Sequence, residues 1–383
     1  MRPTIYVFGD IEIGGGTLTD DFIADRLLCK TILAISCNRG RVDLVLNGDT
    51  FDFLKCPYIK NGVKTYPRHI TAEISLRKLE LMYQAHLLVF SALRTFVSNS
   101  HHRIYFNYGN HDPDLTFAEV QKKLKQLLGN STRIYFDYSY NLKGVHVEHG
   151  HLYDFLHKLE KDKDFLMYRG KKILNLPFVS FGLITHFMTL KEEHPFMERI
   201  KARPILFEHE HKVSKRIRHL SASYFLKSVM YYPLRHFRDP TYRLPRGLFD
   251  EFVKRFREQH WDVDHVAVLF KEQNREKLST LRSHNIYVLG HTHDYNIDRD
   301  SRYVILHPDT WRDEYILSSD LKDLVPKRKS YVKIVPQGIG WSWRIISVTN
   351  KRSIISFKEG LAQEHACVAR AAEEEGYEYH LLV

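Results

Sequence analysis

Over the first third of the chain, short β-branched and aliphatic runs alternate with longer stretches of helical periodicity. Ile5 to Phe8, Val42 to Leu46 and Arg103 to Asn107 read as strands. Between the first two, Thr19 is positioned as an N-cap, with Asp20 and Asp21 in the first turn and Phe22, Ile23, Leu27 and Leu28 at helical spacing. Between the second and third, Pro67 to Ser98 reads as one long or two consecutive helices, with Ile74, Leu79, Met82, Leu93 and Phe96 among the apolar positions. The order strand, helix, strand, helix, strand predicts a layered α/β core.

A further helix is predicted over Phe117 to Leu128, followed by neighbouring strands at Arg133 to Phe136 and Val145 to Val147. The pattern then changes. From about Tyr153 to Ser283 no strand pattern is evident, and apolar residues recur at helical spacing among basic and aromatic ones. A structureless loop of that length does not belong in a compact domain, so the segment predicts a helical insertion. Strand patterns return at Asn285 to Leu289, Tyr303 to Leu306, Tyr331 to Val335, Trp343 to Val348 and Ser353 to Phe357. These are expected to form a second sheet, closed by a helix near Gly360 to Glu375. The expected organisation is a core in two parts, residues 1–152 and 284–383, interrupted by a cap at 153–283.

With 383 residues, 43% of them hydrophobic, the chain can bury a large core, which excludes a disordered protein. Cys29, Cys37, Cys56 and Cys367 have no paired C-x-x-C spacing, which argues against a zinc ribbon or disulfide framework and fits a reducing compartment; Cys37 and Cys56 read as buried thiols. The strand at Ile5 leaves no room for a signal peptide, and no apolar run reaches the ~20 residues that cross a bilayer, so a cytoplasmic protein is expected. A formal net charge of +11 favours an anionic partner: phosphate, nucleic acid or a lipid headgroup.

Five short segments carry the chemistry: Gly9-Asp10-Ile11-Glu12, Gly48-Asp49-Thr50-Phe51-Asp52, Gly109-Asn110-His111-Asp112, His149-Gly150-His151 and Gly290-His291-Thr292-His293. Any one of them alone is more simply a turn. Four of the five follow a predicted strand, which gathers their side chains where an α/β sheet opens its crevice. Asp, Glu, Asn and His make a mixed oxygen and imidazole set suited to Mn, Fe or Zn and poor for Ca. A shared carboxylate such as Asp49 would hold two ions roughly 3.5 to 4 Å apart, the separation at which they bind an attacking hydroxide and a phosphoryl oxygen together.

In these residues the chain resembles the calcineurin-like metallophosphoesterases, whose signature is D-x-H, G-D-x-x-D, G-N-H-D/E, a lone His before Gly, and G-H-x-H; four of the five blocks are intact over about residues 1–155 and 285–315. The resemblance implies two facing β-sheets flanked by helices, and a phosphoester hydrolase acting through a hydroxide that bridges two metal ions. It implies Asp10 and His293 as ligands of the first ion, Asp49 as the bridge, and Asn110, His149 and His291 as ligands of the second. His111 becomes the catalytic imidazole, oriented by Asp52, with Asn110 and His111 stabilising the phosphoryl group. Glu12 departs from the family's histidine. It could still bind the first ion through oxygen, and its charge would favour a harder ion, Mn over Zn. Either histidine of His149-Gly150-His151 could ligate; the resemblance favours His149 and leaves His151 behind the ligands or facing substrate. His307-Pro308-Asp309-Thr310-Trp311 also departs from the family's usual turn.

The segment after His149 carries Tyr153, Tyr168, Arg169, Lys171 and Lys172 and then an apolar run from Ile173 to Ile184. It is similar to the helical cap of UDP-2,3-diacylglucosamine pyrophosphohydrolases, which implies an amphipathic phosphate ester met at a membrane surface. The same run equally reads as the insertion's own core. Two other readings follow from the residues. Lys212, Lys215, Arg216, Arg218, Arg235, Arg238, Arg243, Arg246, Lys254, Arg255 and Arg257, interleaved with Tyr and Phe, could track a nucleic-acid backbone, as in a nuclease. Glu12 is the main support for a scaffold protein that has lost activity, against which stand His111 and Asp52. His101 and His102 read as an exposed helix end, and Lys327-Arg328-Lys329 as a solvated turn.

Overall fold

The computed structural model describes residues 2–159, 163–201, 203–244, 247, 249–250, 265–281, 285–349 and 351–379. Alternation along the strands sorts side chains between two layers. Ile5 and Val7 point with Val45 into a core shared with Val145, Val147, Ile286, Val288, Val304 and Leu306, so two sheets face each other across it. Tyr6, Phe8, Leu44 and Leu46 point the other way, against Leu28 and Ile32 of the helix Asp25–Ser36 and Val89, Phe90 and Leu93 of the helix Leu87–Ser98. On the far side of the second sheet, Tyr287, Leu289 and Ile305 pack on Val266, Ala267 and Phe270 of the helix Val266–Gln273. The period of two places consecutive residues of one strand in different cores.

The first sheet runs, edge to edge, Gly340–Val348, Lys329–Gln337, Thr4–Phe8, Val42–Asn47, His102–Asn107 and Ile134–Asp137. Its last four strands are parallel; Lys329–Gln337 pairs antiparallel to Thr4–Phe8, and Gly340–Val348 antiparallel to Lys329–Gln337. The second runs Tyr295–Arg299, Tyr303–Pro308, Asn285–Val288, Val145–Glu148 and Ser139–Leu142, with its three central strands parallel. The chain is therefore α/β, as expected, but strand membership differs. Tyr331 to Val335 and Trp343 to Val348 complete the first sheet rather than the second. Of Ser353 to Phe357 only Ile355–Ser356 is a strand, in a small sheet with Tyr315–Leu317 and Asp323–Pro326. Ile134–Asp137 and Val145–Glu148 fall in different sheets, because the intervening Ser139–Leu142 pairs with the latter.

Three local expectations are corrected. The first helix begins at Asp25, not at Thr19, because the Asp20 carboxylate accepts from the backbone N–H groups of Gly14, Gly16 and Phe22 and fixes the preceding loop instead. His102 is buried at the start of its strand, stacked on Phe96, while His101 is exposed. Cys56 is buried but Cys37 is exposed. Pro67 to Ser98 resolves into two helices, Ala72–Ala85 and Leu87–Ser98, that meet at His86.

The insertion is mainly helical but opens with a hairpin, Phe165–Tyr168 with Lys171–Leu174. Its two-residue turn has positive φ at both Arg169 (48°) and Gly170 (74°), the requirement of a type I′ turn. Helical turns from Phe178 to Glu193 follow, and then the 26-residue helix His211–His236. Tyr224 on that helix donates to the Phe178 carbonyl at 2.7 Å. Lys212, Lys215, Arg216, Arg218 and Arg235 are exposed along it, with Arg238 and Arg243 exposed just beyond; Arg246, Lys254, Arg255 and Arg257 lie outside the described residues. Ion pairs join the insertion to the core, at 2.7 Å for Lys191 with Asp21, Arg199 with Asp313 and His194 with Glu364. Among the described residues no helix is long and apolar enough to cross a membrane.

Candidate metal centre

All five motif segments begin within two residues of a strand end, and the side chains converge. The backbone turns sharply to achieve this: Asp10 (φ 48°), Glu12 (55°), Asp49 (46°), His291 (78°) and His293 (53°) are all left-handed. That conformation costs an L-residue about 1–2 kcal/mol, and such outliers cluster at functional sites. Two glycines make the approach possible. A Cβ on Gly109 would stand 2.1 Å from Asp49 Oδ1, and one on Gly48 2.5 Å from the His149 side chain.

Asp10, Asp49 and His149 offer ligand atoms within 4.8 Å of one another, and so do Glu12, Asp49 and His111. Asp49 belongs to both groups and stands between them. Asn110 Oδ1 lies 3.1 Å from His149 Nε2 and 3.0 Å from His291 Nδ1. His293 Nε2 lies 3.3 Å from Asp10 Oδ1 and 3.4 Å from Glu12 Oε1. The seven residues expected to hold metal are thus brought together.

Each of the three histidines turns one nitrogen inward and ties the other down. His149 Nδ1 is 3.1 Å from the Asn47 carbonyl, His293 Nδ1 is 3.0 Å from Glu314 Oε1, and His291 Nε2 is 3.3 Å from Asp154 Oδ2. This is how metal-ligating imidazoles are held in orientation and tautomer. Asp10 Oδ2 and Glu12 Oε1 are buried and have no hydrogen-bond partner. A buried acceptor left so is costly, and a cation beside it would satisfy it. The donor set therefore fits divalent metal.

Around this centre lies a shell of charge. Burial opposes the ionisation of Asp49, but His149 and His111 outweigh it and hold its carboxyl well below the usual range. Burial likewise opposes protonation of His111, yet Asp52, Glu12 and Asp49 push it up to about 10; His111 Nδ1 sits 3.0 Å from Asp52 Oδ1. Burial disfavours the His149 cation too, but Asp49 and Asp10 push it up to about 9. Lys55, 2% exposed, sets its ammonium 2.8 Å from Glu12 Oε2, 2.9 Å from Asp52 Oδ2 and 3.0 Å from Asp21 Oδ2. Burial and Arg312 work against its charge, and Asp52, Glu12 and Glu198 hold its pKa well above normal. Arg312 Nε adds a second cation 3.3 Å from Glu12 Oε2. The charge that Glu12 brings is thus compensated within the protein.

The site opens into a cleft of about 520 Å³ lined by Asp49, Asn110, His111, His291 and His293 and, from the insertion, His157 and Lys201. His151 is buried beside His149, its ring centroid 5.3 Å away; burial, with the neighbouring His149 and His291, holds its pKa well below normal. The segment His307 to Trp311 is buried and does not line this cleft. It buttresses Asp10, whose carbonyl accepts from Thr310 Oγ1 at 2.7 Å and Trp311 N at 3.0 Å. Lys327, expected in a solvated turn, is buried against Asp309 and Glu314.

Lys55, Asp112, Asp154, Arg312 and Glu314 escaped the sequence reading. Asp112 stood inside a motif without a role; its carboxylate accepts from Thr50 N at 2.8 Å and Gly109 N at 2.6 Å, tying two motif loops together. Asp154 follows His151 by three residues, a short spacing that was open to inspection. Arg312 and Glu314 follow a strand whose end the motifs did not mark. Compared with known proteins, the chain matches no family model and no curated sequence significantly.

Proposed function

We propose that the chain is a binuclear-metal-dependent phosphoester hydrolase. The observation that carries this reading is the set of three histidines, each with one nitrogen turned into the site and the other anchored, beside two buried carboxylate oxygens without partners. Asp10, Glu12, Asp49 and His293 would hold one divalent ion, and Asp49, Asn110, His149 and His291 the other, with Mn favoured by the oxygen-rich set. When bound, such a pair lowers the pKa of coordinated water and neutralises charge on a transferring phosphoryl group.

The chain's own residues supply the rest. His111 is fixed through Nδ1 by Asp52, which leaves Nε2 as the atom that meets substrate in the cleft. As the bond from phosphorus to the leaving oxygen breaks, His111 gives its proton to that oxygen. The Asn110 side-chain amide lies on the same cleft wall and orients the phosphoryl group. Glu198 and Lys201 of the insertion narrow the approach.

One observation favours an amphipathic ester. An apolar groove of about 250 Å³, lined by Leu183, Phe187, Leu190, Met197, Val213 and Ile217, shares Leu183 and Glu198 with the wall of the cleft. The phosphate and an apolar group of one substrate would fit side by side.

The test is hydrolysis of para-nitrophenyl phosphate, its bis ester, an acylated sugar pyrophosphate and short single-stranded DNA with Mn supplied, alongside metal stoichiometry. Two ions per chain with turnover of an ester are expected. Preference for DNA with a steep salt dependence would favour a nuclease. Equal rates on short and acylated esters would remove the amphipathic reading. No turnover with less than one ion would leave a scaffold protein.

A further inference from the structure

We infer that Lys55 is a positioning residue that couples the first ion site to the catalytic imidazole. The inference rests on the hydrolase reading above. One buried ammonium reaches two carboxylates with different duties: Glu12 Oε2 at 2.8 Å and Asp52 Oδ2 at 2.9 Å. The other oxygen of each carboxylate is the one turned to the site. Glu12 Oε1 lies 3.4 Å from His293 Nε2 and is otherwise unpartnered, while Asp52 Oδ1 lies 3.0 Å from His111 Nδ1. Lys55, joined at Glu12 Oε2 by Arg312 Nε at 3.3 Å, therefore helps fix which oxygen of Glu12 is presented to an ion, and it fixes which oxygen of Asp52 is presented to His111.

The ammonium is itself held. Asp21 Oδ2 lies 3.0 Å from Lys55 Nζ and 2.8 Å from Arg312 Nη2, and Asp21 Oδ1 lies 2.7 Å from Lys191 Nζ. The Lys55 backbone N–H also donates to Asp52 Oδ1 at 3.0 Å, which keeps residue and partner in one turn. With three carboxylates around one flexible stem, the stem loses its freedom and the carboxylates gain a common reference point. A misplacement on the order of 1 Å at a reacting group can cost roughly 100-fold in rate.

The test compares the full-length wild type with Lys55→Met, Glu12→Gln, Asp52→Asn and the two doubles that contain Lys55→Met, reading Mn-binding calorimetry and steady-state hydrolysis of para-nitrophenyl phosphate. Lys55→Met is expected to change the Mn isotherm and to lower kcat by roughly 10- to 100-fold with KM little altered. The same substitution is expected to leave the isotherm of Glu12→Gln and the kcat of Asp52→Asn nearly unmoved, since the coupled partner is already gone. Effects that simply add in both backgrounds overturn the assignment, as does a Lys55→Met protein that loses stability alone. If Lys55→Met does not fold, the charge-balanced Glu12→Gln/Lys55→Met is set against Glu12→Gln: equal isotherms support the coupling, and a further loss removes it. A wild type that binds no Mn and hydrolyses nothing defeats the hydrolase reading and this one together; additive effects in an active wild type defeat this one only.

Discussion

Asp154 places Oδ2 3.3 Å from His291 Nε2, on the side of the ring turned away from Asn110. The same carboxylate holds His157 Nδ1 at 2.7 Å, so one residue at the start of the insertion orients two imidazoles at the cleft. Asp154→Asn is expected to weaken Mn affinity roughly 10- to 100-fold with the fold retained, as loss of an outer-shell partner does. Titration calorimetry with unchanged circular dichroism would show it; an unchanged isotherm would count against the orienting role.

His111→Ala and Asp49→Ala separate chemistry from ion binding. The first is expected to lower kcat by roughly 100-fold or more while two ions stay bound. The second removes the carboxylate common to both groups of ligands and is expected to abolish ion binding. Metal analysis of both purified variants decides: loss of ions from His111→Ala, or their retention by Asp49→Ala, contradicts the assigned roles.

Gly109→Ala tests the closeness of approach. The added methyl would meet Asp49 at 2.1 Å from Oδ1 and 2.4 Å from its backbone nitrogen, so the carboxylate must move and ion stoichiometry should fall. Gly40→Ala, with nothing within 4 Å, is the control and should behave as wild type. Similar stoichiometry in the two variants would show that Asp49 tolerates displacement.

Ion uptake should release protons. In the ion-free chain His149 is pushed up to about 9 against burial by Asp49 and Asp10, and a ligating imidazole must be neutral. Apparent Mn affinity is therefore expected to rise with pH until about 9 and then level off. Calorimetry in buffers of different ionisation enthalpy measures the protons released; a count of zero near neutral pH would show that His149 is already neutral before the ion binds.

A second pH effect lies away from the site. His86 is buried between Asp25 (Nδ1 to Oδ2, 3.0 Å) and Asp20 (Nε2 to Oδ2, 2.9 Å). Burial disfavours its charge, but the two carboxylates push it from 6.5 up to about 10. Because the folded value is the higher one, its contribution to stability is complete below about pH 6.5 and is lost as pH rises through 10. The urea midpoint should fall across that window. His86→Phe, which leaves two buried carboxylates without their cation, should be less stable by roughly 3–5 kcal/mol and lack the slope. A wild-type slope equal to that of the variant would deny the histidine its charge.

Much of this was legible in the chain because strand-end motifs are local. Gly48-Asp49 follows an aliphatic strand and Gly109-Asn110-His111 one with Ile104, Tyr105 and Phe106, and the residues that converge are those the spacing marked. What escaped was long-range. Nothing near Lys55 announces that its ammonium reaches Glu12, 43 positions away, and nothing near Glu314 announces His293. Strand alternation revealed Tyr331 to Val335 as a strand but not its partner, since pairing with Ile5 spans the whole chain. The hairpin at Arg169-Gly170 was missed because helical spacing was weighed over a long window, in which a two-residue turn carries little weight.

The hydrogen bond from His291 N to Asp10 Oδ1 spans 281 positions. A chain emerging from the ribosome therefore displays Asp10, Asp49, Asn110 and His149 before His291 and His293 are made. Until they arrive the cluster is half a site, and on the hydrolase reading an ion that needs both halves would have to come late. On the hydrolase reading, loading of the centre would report that synthesis has passed the insertion, and any truncation upstream of residue 293 should yield a protein with no complete place for the first ion.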